Sequence, residues 1–238
     1  MKTRSPICFG KLILGKHPLI AVPFTGKTSP STIRRAQGEG MAIAELRLDF
    51  YSSREEKSVM SEFLKFKRIP VIATIRSRKE GGRWNGSEEE RLHLFEIAMP
   101  HADAVDIELS SKSILKDVIR KTHREKKVAI VSYHNFEKTP DLNFLRKILK
   151  QAKAAGADIV KIATMAKSKK DVIMLAEFTS FYASQNLITF SMGKVGAVSR
   201  ILFPSLGSLL TFAYVGRSTA PGQWDLRTTS AYLKKLYI

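Results

Sequence analysis

The sequence predicts an α/β fold, a (β/α)8 TIM barrel preceded by a β-hairpin. Three observations lead there. Eight short apolar runs rich in β-branched residues alternate with amphipathic segments. No low-complexity linker interrupts them, so a single catalytic domain is expected over 1–238. Finally, parallel strands require helical crossovers, and closure of the sheet removes its exposed edges. A doubly wound open sheet is the competing architecture. It would carry a Gly-rich phosphate turn after its first strand, and Val22-Pro23-Phe24-Thr25-Gly26-Lys27 is neither G-x-G-x-x-G nor a P-loop.

Taken in order, residues 1–15 read as a hairpin, with Ile7-Cys8-Phe9 and Leu12-Ile13-Leu14 flanking Gly10. Strands are expected at 19–24, 41–48, 70–76, 104–109, 128–134, 158–163, 187–192 and 209–214. Helices are expected at 31–40, 55–67, 87–99, 113–125, 140–155, 169–184, 198–203 and 225–237. Ser87 followed by Glu90 reads as a capping box, and Thr139-Pro140 with Asp141 in the first turn reads as a helix start.

Composition narrows the function. The 238 residues carry 40 Lys plus Arg against 22 Asp plus Glu, a formal net charge of +18. The surplus is spread along the chain rather than gathered in a basic tail, which speaks for a basic surface and against a nucleic-acid partner. No apolar run approaches the roughly 18 residues of a membrane helix, so no membrane partner is expected. The single Cys8 cannot form an internal disulfide, which points to a reducing, cytoplasmic setting.

In a barrel, alternate strand residues face inward, and those at the carboxyl ends of strands line the active-site mouth. Several runs place polar residues on one parity there: Glu45, Arg47 and Asp49; Thr74 and Arg76; Asp106 and Glu108; Ser132 and His134. Lys161 stands among apolar neighbours in Ala157-Asp158-Ile159-Val160-Lys161-Ile162-Ala163. Burial there would favour the neutral amine, a Schiff-base nucleophile; a lysine reaching the rim or paired with a carboxylate is the alternative. His134, on the adjacent strand, is either a proton-transfer group or an ordinary structural histidine. Glu80, in the Gly-bearing loop from Arg76 to Gly82, could orient an imidazole or simply sit among basic neighbours. The stretch Thr219-Ala220-Pro221-Gly222-Gln223 reads as a mobile lid, an anion-binding loop or a Pro-Gly turn.

Together these residues resemble the type I 3-dehydroquinate dehydratases. The resemblance runs in order through Glu45-Leu46-Arg47-Leu48-Asp49, Thr74-Ile75-Arg76 with Glu80-Gly81-Gly82, Asp106-Ile107-Glu108, and Ser132-Tyr133-His134-Asn135-Phe136. It continues through Ala157 to Lys161, Ser191-Met192-Gly193 with Ser199-Arg200, and Gly207-Ser208 through Phe212 to Gln223. It implies conversion of 3-dehydroquinate to 3-dehydroshikimate by syn elimination of water, with neither metal nor cofactor. By position, Lys161 would form the imine, His134 would move the protons and Glu80 would hold the imidazole. Arg200 would pair with the substrate carboxylate, and Glu45, Arg47 and Arg76 would hydrogen-bond the ring hydroxyls. Gln223 and Thr219 would close over the site, with Met192 and Phe212 as apolar walls. Thr219, Phe190 and Pro23 depart from the family's usual Ser, Met and Ser. Many members are dimers, so a homodimer is compatible with the resemblance. A Schiff-base aldolase is the rival enzyme class, set apart by Glu45, Arg47, Arg76, Arg200 and Gln223, which suit a hydroxylated ring carboxylate rather than a sugar phosphate.

Overall fold

The computed structural model describes residues 6–237; the first five positions of the expected hairpin and Ile238 lie outside the described residues. The hairpin pairs β1 (Ile7–Phe9) antiparallel with β2 (Leu12–Leu14). The parallel strands follow as β3 (Leu19–Phe24), β4 (Ile43–Arg47), β5 (Val71–Thr74), β6 (Ala104–Glu108), β7 (Val128–Asn135), β8 (Ile159–Met165), β9 (Leu187–Met192) and β10 (Leu210–Phe212). They form an 8-stranded sheet in the order β10-β3-β4-β5-β6-β7-β8-β9. Closure is nearly complete: β10 pairs with β3, and at the remaining seam the Leu209 N–H donates to the Leu187 carbonyl at 2.8 Å.

The main helices are α1 (Pro30–Gly38), α2 (Glu56–Phe63), α3 (Glu88–Ala98), α4 (Leu115–Arg124), α5 (Leu142–Ala154) and α6 (Lys169–Phe181). The helix expected at 198–203 is instead two single turns, α7 (Gly193–Gly196) and α8 (Ser199–Leu202), and α9 (Leu226–Tyr237) ends the barrel. Capping sets these boundaries. Ser87 and Glu90 form the expected box at the start of α3. At α5 the cap is Asp141, whose side chain accepts from the Phe144 N–H. Thr139 is not part of that cap, because its hydroxyl is engaged with Thr164 and donates to the Met165 carbonyl.

The alternation of each strand separates two cores. Outward residues such as Leu46, Ala73, Val105, Val131 and Ile162 pack under the helices. Inward, Ala21, Ile43, Ile72, Ala104, Ile130, Ile159, Ile188 and Leu210 fill the amino-terminal half of the barrel, and Phe9 and Leu14 of the hairpin join that cluster and plug its end. With one end filled by hydrocarbon, the polar inward residues one step further along each strand are confined to the carboxyl-terminal half.

Candidate active site

The strand register brings the sequence-marked residues to one level. Ser132 of β7 lies beside Lys161 of β8, with His134 beside Ala163. The pocket at the carboxyl ends of the strands is lined by Glu45, Arg47, Arg76, Glu80, His134, Lys161, Met192, Arg200, Phe212, Thr219 and Gln223, the residues to which the resemblance gave catalytic or substrate-binding roles. Gly81, Phe136, Pro23, Phe190 and Ala220 complete the wall. The cavity measures about 50 Å³, well below the roughly 300–1,000 Å³ of open small-molecule sites. Thr219, Ala220 and Gln223 form the part of its wall that the loop after β10 contributes.

Lys161 is not alone among apolar neighbours. Its Nζ donates to Asp106 Oδ2 at 2.8 Å and lies 3.4 Å from Glu45 Oε1, while the Phe212 ring sits 4.2 Å beneath it. The alternative of a carboxylate partner is therefore the one realised, and it is realised inside the barrel, with Lys161 only 4 % exposed. Asp106 is the residue that composition and spacing left without a role, although its inward parity marked it. The cations Arg76 and Lys161 hold its carboxyl well below the usual carboxylate range despite full burial, which by itself would raise it. Arg76 Nη2 approaches Asp106 Oδ1 at 2.9 Å as an ion pair outside hydrogen-bond geometry, and its Nη1 donates to Ser132 Oγ at 2.6 Å.

His134 is held by Glu80. The imidazole Nδ1 and the His134 main-chain N–H both meet Glu80 Oε2, at 3.0 and 2.9 Å. Ser110 Oγ donates to the other carboxylate oxygen at 2.5 Å. Burial pushes the imidazole well below its ordinary value, and the cations Arg76 and Lys161 add to the effect, so the ring is neutral near pH 7. With Nδ1 turned to Glu80, Nε2 remains available as a base. Burial pushes the Glu80 carboxyl up to about 7, against the opposing pull of Arg76 and Ser110. Phe136 lies nearly parallel to the imidazole, with centroids 6.5 Å apart at 17°.

Two sequence expectations need correction. Asp49 does not share the interior with Glu45 and Arg47: β4 ends at Arg47, the chain enters a 3-10 turn at Leu48–Phe50, and Asp49 accepts both Nε and Nη2 of Arg47, at 2.9 and 2.8 Å. Glu108 lies outside the pocket, where it accepts from the Ser77 N–H and pairs with the fully buried Arg91 of α3. It holds the β5 loop to the outer layer rather than facing a ligand.

Arg200 differs from the other cations of the mouth. Arg47, Arg76 and Lys161 each face a carboxylate. Among the described residues Arg200 has none; its Nε and Nη2 are buried without a hydrogen-bond partner, and its guanidinium lies 3.9 Å over the Phe190 ring. Desolvation alone lowers its pKa to about 9. A charged, hydrogen-bond-deficient guanidinium at a pocket wall is a receptor for an anion. No group of three or more His, Cys, Asp or Glu among the described residues is arranged to hold a metal ion.

Known proteins place this arrangement. The family model for type I 3-dehydroquinase matches residues 20–238. The 3-dehydroquinate dehydratase of Methanothermobacter thermautotrophicus is 39% identical over 220 residues, covering 91% of this chain and 96% of its own. That of Methanococcoides burtonii is 40% identical over 194 residues, covering 80% and 82%. The crystal structure of 3-dehydroquinate dehydratase from Geobacillus kaustophilus superposes with a TM-score of 0.89 at 31% identity, covering 98% of this chain and 97% of that one. The type I enzyme from Clostridium difficile, solved with covalently modified comenic acid, gives 0.87 at 29%, covering 98% of each. With the family model matched over residues 20–238 and relatives 39–40% identical over most of both chains, the chain belongs to the type I 3-dehydroquinase family.

Proposed function

We propose that this chain dehydrates 3-dehydroquinate to 3-dehydroshikimate, a hydro-lyase reaction of aromatic biosynthesis, through an imine on Lys161. The observation that carries the residue roles is the placement of Lys161 and His134 on neighbouring strands of a closed pocket, facing an unpaired Arg200.

Arg200 receives the substrate carboxylate, because a planar fork left with two idle donors gains most from a bidentate anion. That anchors the ring with its ketone toward Lys161. The Lys161 ammonium passes a proton to the neutral His134, the freed amine adds to the C3 carbonyl carbon, and His134 returns that proton as the carbinolamine loses one water, which leaves a protonated imine. Asp106, kept ionised, lies where it stabilises that cation. The iminium draws electrons from C2, so its proton becomes acidic, and His134 Nε2 removes it to give the enamine. The electron pair then expels the C1 hydroxyl, which leaves as water after taking the proton back from His134. One base acting on one face gives syn elimination. Hydrolysis of the conjugated imine by a second water releases product and restores the amine.

Glu45, Arg47 and Arg76 offer hydrogen bonds to ring hydroxyls, and Thr219 and Gln223 close the mouth. Gln223 is preorganised for that work, since its Oε1 accepts from both the Thr219 N–H and hydroxyl, at 2.9 and 3.0 Å. A cytoplasmic setting and a homodimer go with this reading, the first from the lone Cys8 and the second from the family; cell fractionation and light scattering test them.

The decisive experiment is borohydride reduction in the presence of 3-dehydroshikimate, followed by mass mapping. The expected result is one adduct on Lys161 in the parent and also in His134→Ala, which should lose at least about 10²-fold in turnover because imine formation and proton removal are separate steps. No adduct, or undiminished turnover in Lys161→Ala, overturns the assignment.

A further inference from the structure

We propose a second anion site, outside the pocket just described, that takes the phosphate group of a small molecule and couples it to the loop over the active site. A cavity of about 530 Å³ opens between the segment that follows β3 and the loop 215–223. Its polar lining consists of Lys27 and Arg217, together with the hydroxyls of Thr25, Thr28, Ser29 and Thr32, and no carboxylate contributes to its wall. Among the described residues neither Lys27 nor Arg217 has an ion-pair partner. Pro23 is the one residue this cavity shares with the active site, so the two spaces are neighbours.

The surroundings favour an oxyanion over any other small ligand. Thr28 and Ser29 already hydrogen-bond within the loop, Thr28 Oγ1 to the Gly26 carbonyl at 3.0 Å and Ser29 Oγ with Ser31 and Thr32, while Thr25 is uncommitted among the described residues. A Cβ built on Gly26 would meet nothing within 4 Å, so an approaching ligand can reach that turn. The nearest buried acid, Glu62, does not oppose an anion: it accepts from the Thr28 N–H behind the cavity and is paired with Lys65 at 2.5 Å. Two cations without ion-pair partners among the described residues, beside the Thr25 hydroxyl and in a basin whose wall carries no carboxylate, provide charge-assisted hydrogen bonds for a doubly charged group.

The site touches catalysis through the loop. Arg217 lies two residues before Thr219, and the loop's base is fixed where the Tyr214 N–H donates to the Trp224 carbonyl and the Leu226 N–H to the Tyr214 carbonyl. An anion bridging Lys27 and Arg217 ties the moving part of this loop to the barrel rim in its closed position. Closure favoured by the outer ligand favours retention of the inner one, and by linkage the reverse also holds. Binding itself does not depend on the reaction assigned above; only its effect on turnover does.

Inorganic phosphate is the probe, titrated calorimetrically at constant ionic strength with chloride as balance. Saturable binding with a Kd on the order of 1 mM is expected in the parent and equally in Arg200→Met, which removes the anion receptor of the inner pocket. Lys27→Met/Arg217→Met should weaken it at least about tenfold while leaving turnover without phosphate unchanged. Phosphate should also slow tryptic cleavage after the exposed Arg217 of the parent. Binding that survives the double substitution, binding lost in Arg200→Met, or no saturable heat up to about 20 mM overturns the site. If binding follows this pattern and turnover does not respond, the site stands and its coupling to the loop is refuted.

Discussion

The main-chain N–H and the side-chain Nδ1 of His134 converge on one oxygen of Glu80, at 2.9 and 3.0 Å. Residues 54 positions apart are thereby joined at both backbone and ring: the main-chain N–H holds the carboxylate in place, and the imidazole can rotate only by giving up its bond to it. Orientation of the base is built into the wall of the barrel before any substrate arrives.

The first prediction concerns Glu80→Gln. The amide still accepts the His134 N–H, but it no longer balances charge on the imidazolium, so turnover should fall by roughly 10²-fold or more. In the parent, activity should decline as pH drops through about 7, where the buried carboxylate takes up its proton; the variant should lack this limb. Stability should move the other way. The folded carboxyl binds its proton more tightly than the unfolded one, so the advantage of the parent is full below about 4.5 and is lost as pH rises toward 7. Urea unfolding should find Glu80→Gln gaining on the parent by up to about 3 kcal/mol between those limits. A pH-independent difference would show that the carboxyl is not perturbed.

Arg200 supports the second prediction. A guanidinium with two buried donors unpaired carries a desolvation cost that the Phe190 ring beneath it offsets only in part. Its depressed pKa means that the cost is present throughout the range below about 9, neutral pH included. Arg200→Met should therefore raise thermal stability, by about 1–3 kcal/mol, while KM rises roughly 10²-fold through loss of the carboxylate anchor. Steady-state kinetics and calorimetric melting on the same sample check both. A variant that melts lower and binds normally would remove Arg200 from the site.

Much of this was legible in the sequence because barrel geometry turns strand parity into position. Lys161, His134 and Arg76 lie at the inner mouth since each falls an even number of residues beyond an apolar inward residue, Ile159, Ile130 and Ile72 respectively. Parity failed where a strand stopped. Asp49 kept the alternation of Glu45 and Arg47 on paper, yet the 3-10 turn at Leu48–Phe50 swings it back onto Arg47. The pairing of Lys161 with Asp106 was hidden for another reason. The contact crosses the barrel between strands that are not neighbours, and periodicity along a strand carries no information about what lies across the lumen. The net charge was the least informative signal: of the four cations at the mouth, three are already neutralised by carboxylates, leaving Arg200 to attract an anionic substrate.

Gly222 gives the last prediction, on the closing loop itself. Its φ of +72° lies in the left-handed region, and a Cβ there would come within 2.3 Å of the Gly193 carbonyl oxygen. The Gly193 N–H meanwhile donates to the Pro221 carbonyl at 3.2 Å, so this glycine marks where the loop rests on the turn after β9. In Gly222→Ala the loop must lift, and Gln223 and Thr219 lift with it. Because the strain falls on an edge loop rather than the core, stability should drop by only about 1 kcal/mol. The reaction should suffer more: displacing the closing residues by about 1 Å exposes the imine to solvent and loosens the ring, for an expected loss of about 10²-fold in kcat/KM. Borohydride should still trap Lys161, since the amine, Asp106 and the His134–Glu80 pair lie on strands or loops that Gly222 does not touch. Loss of trapping together with turnover would instead mean that the loop assembles the lysine site.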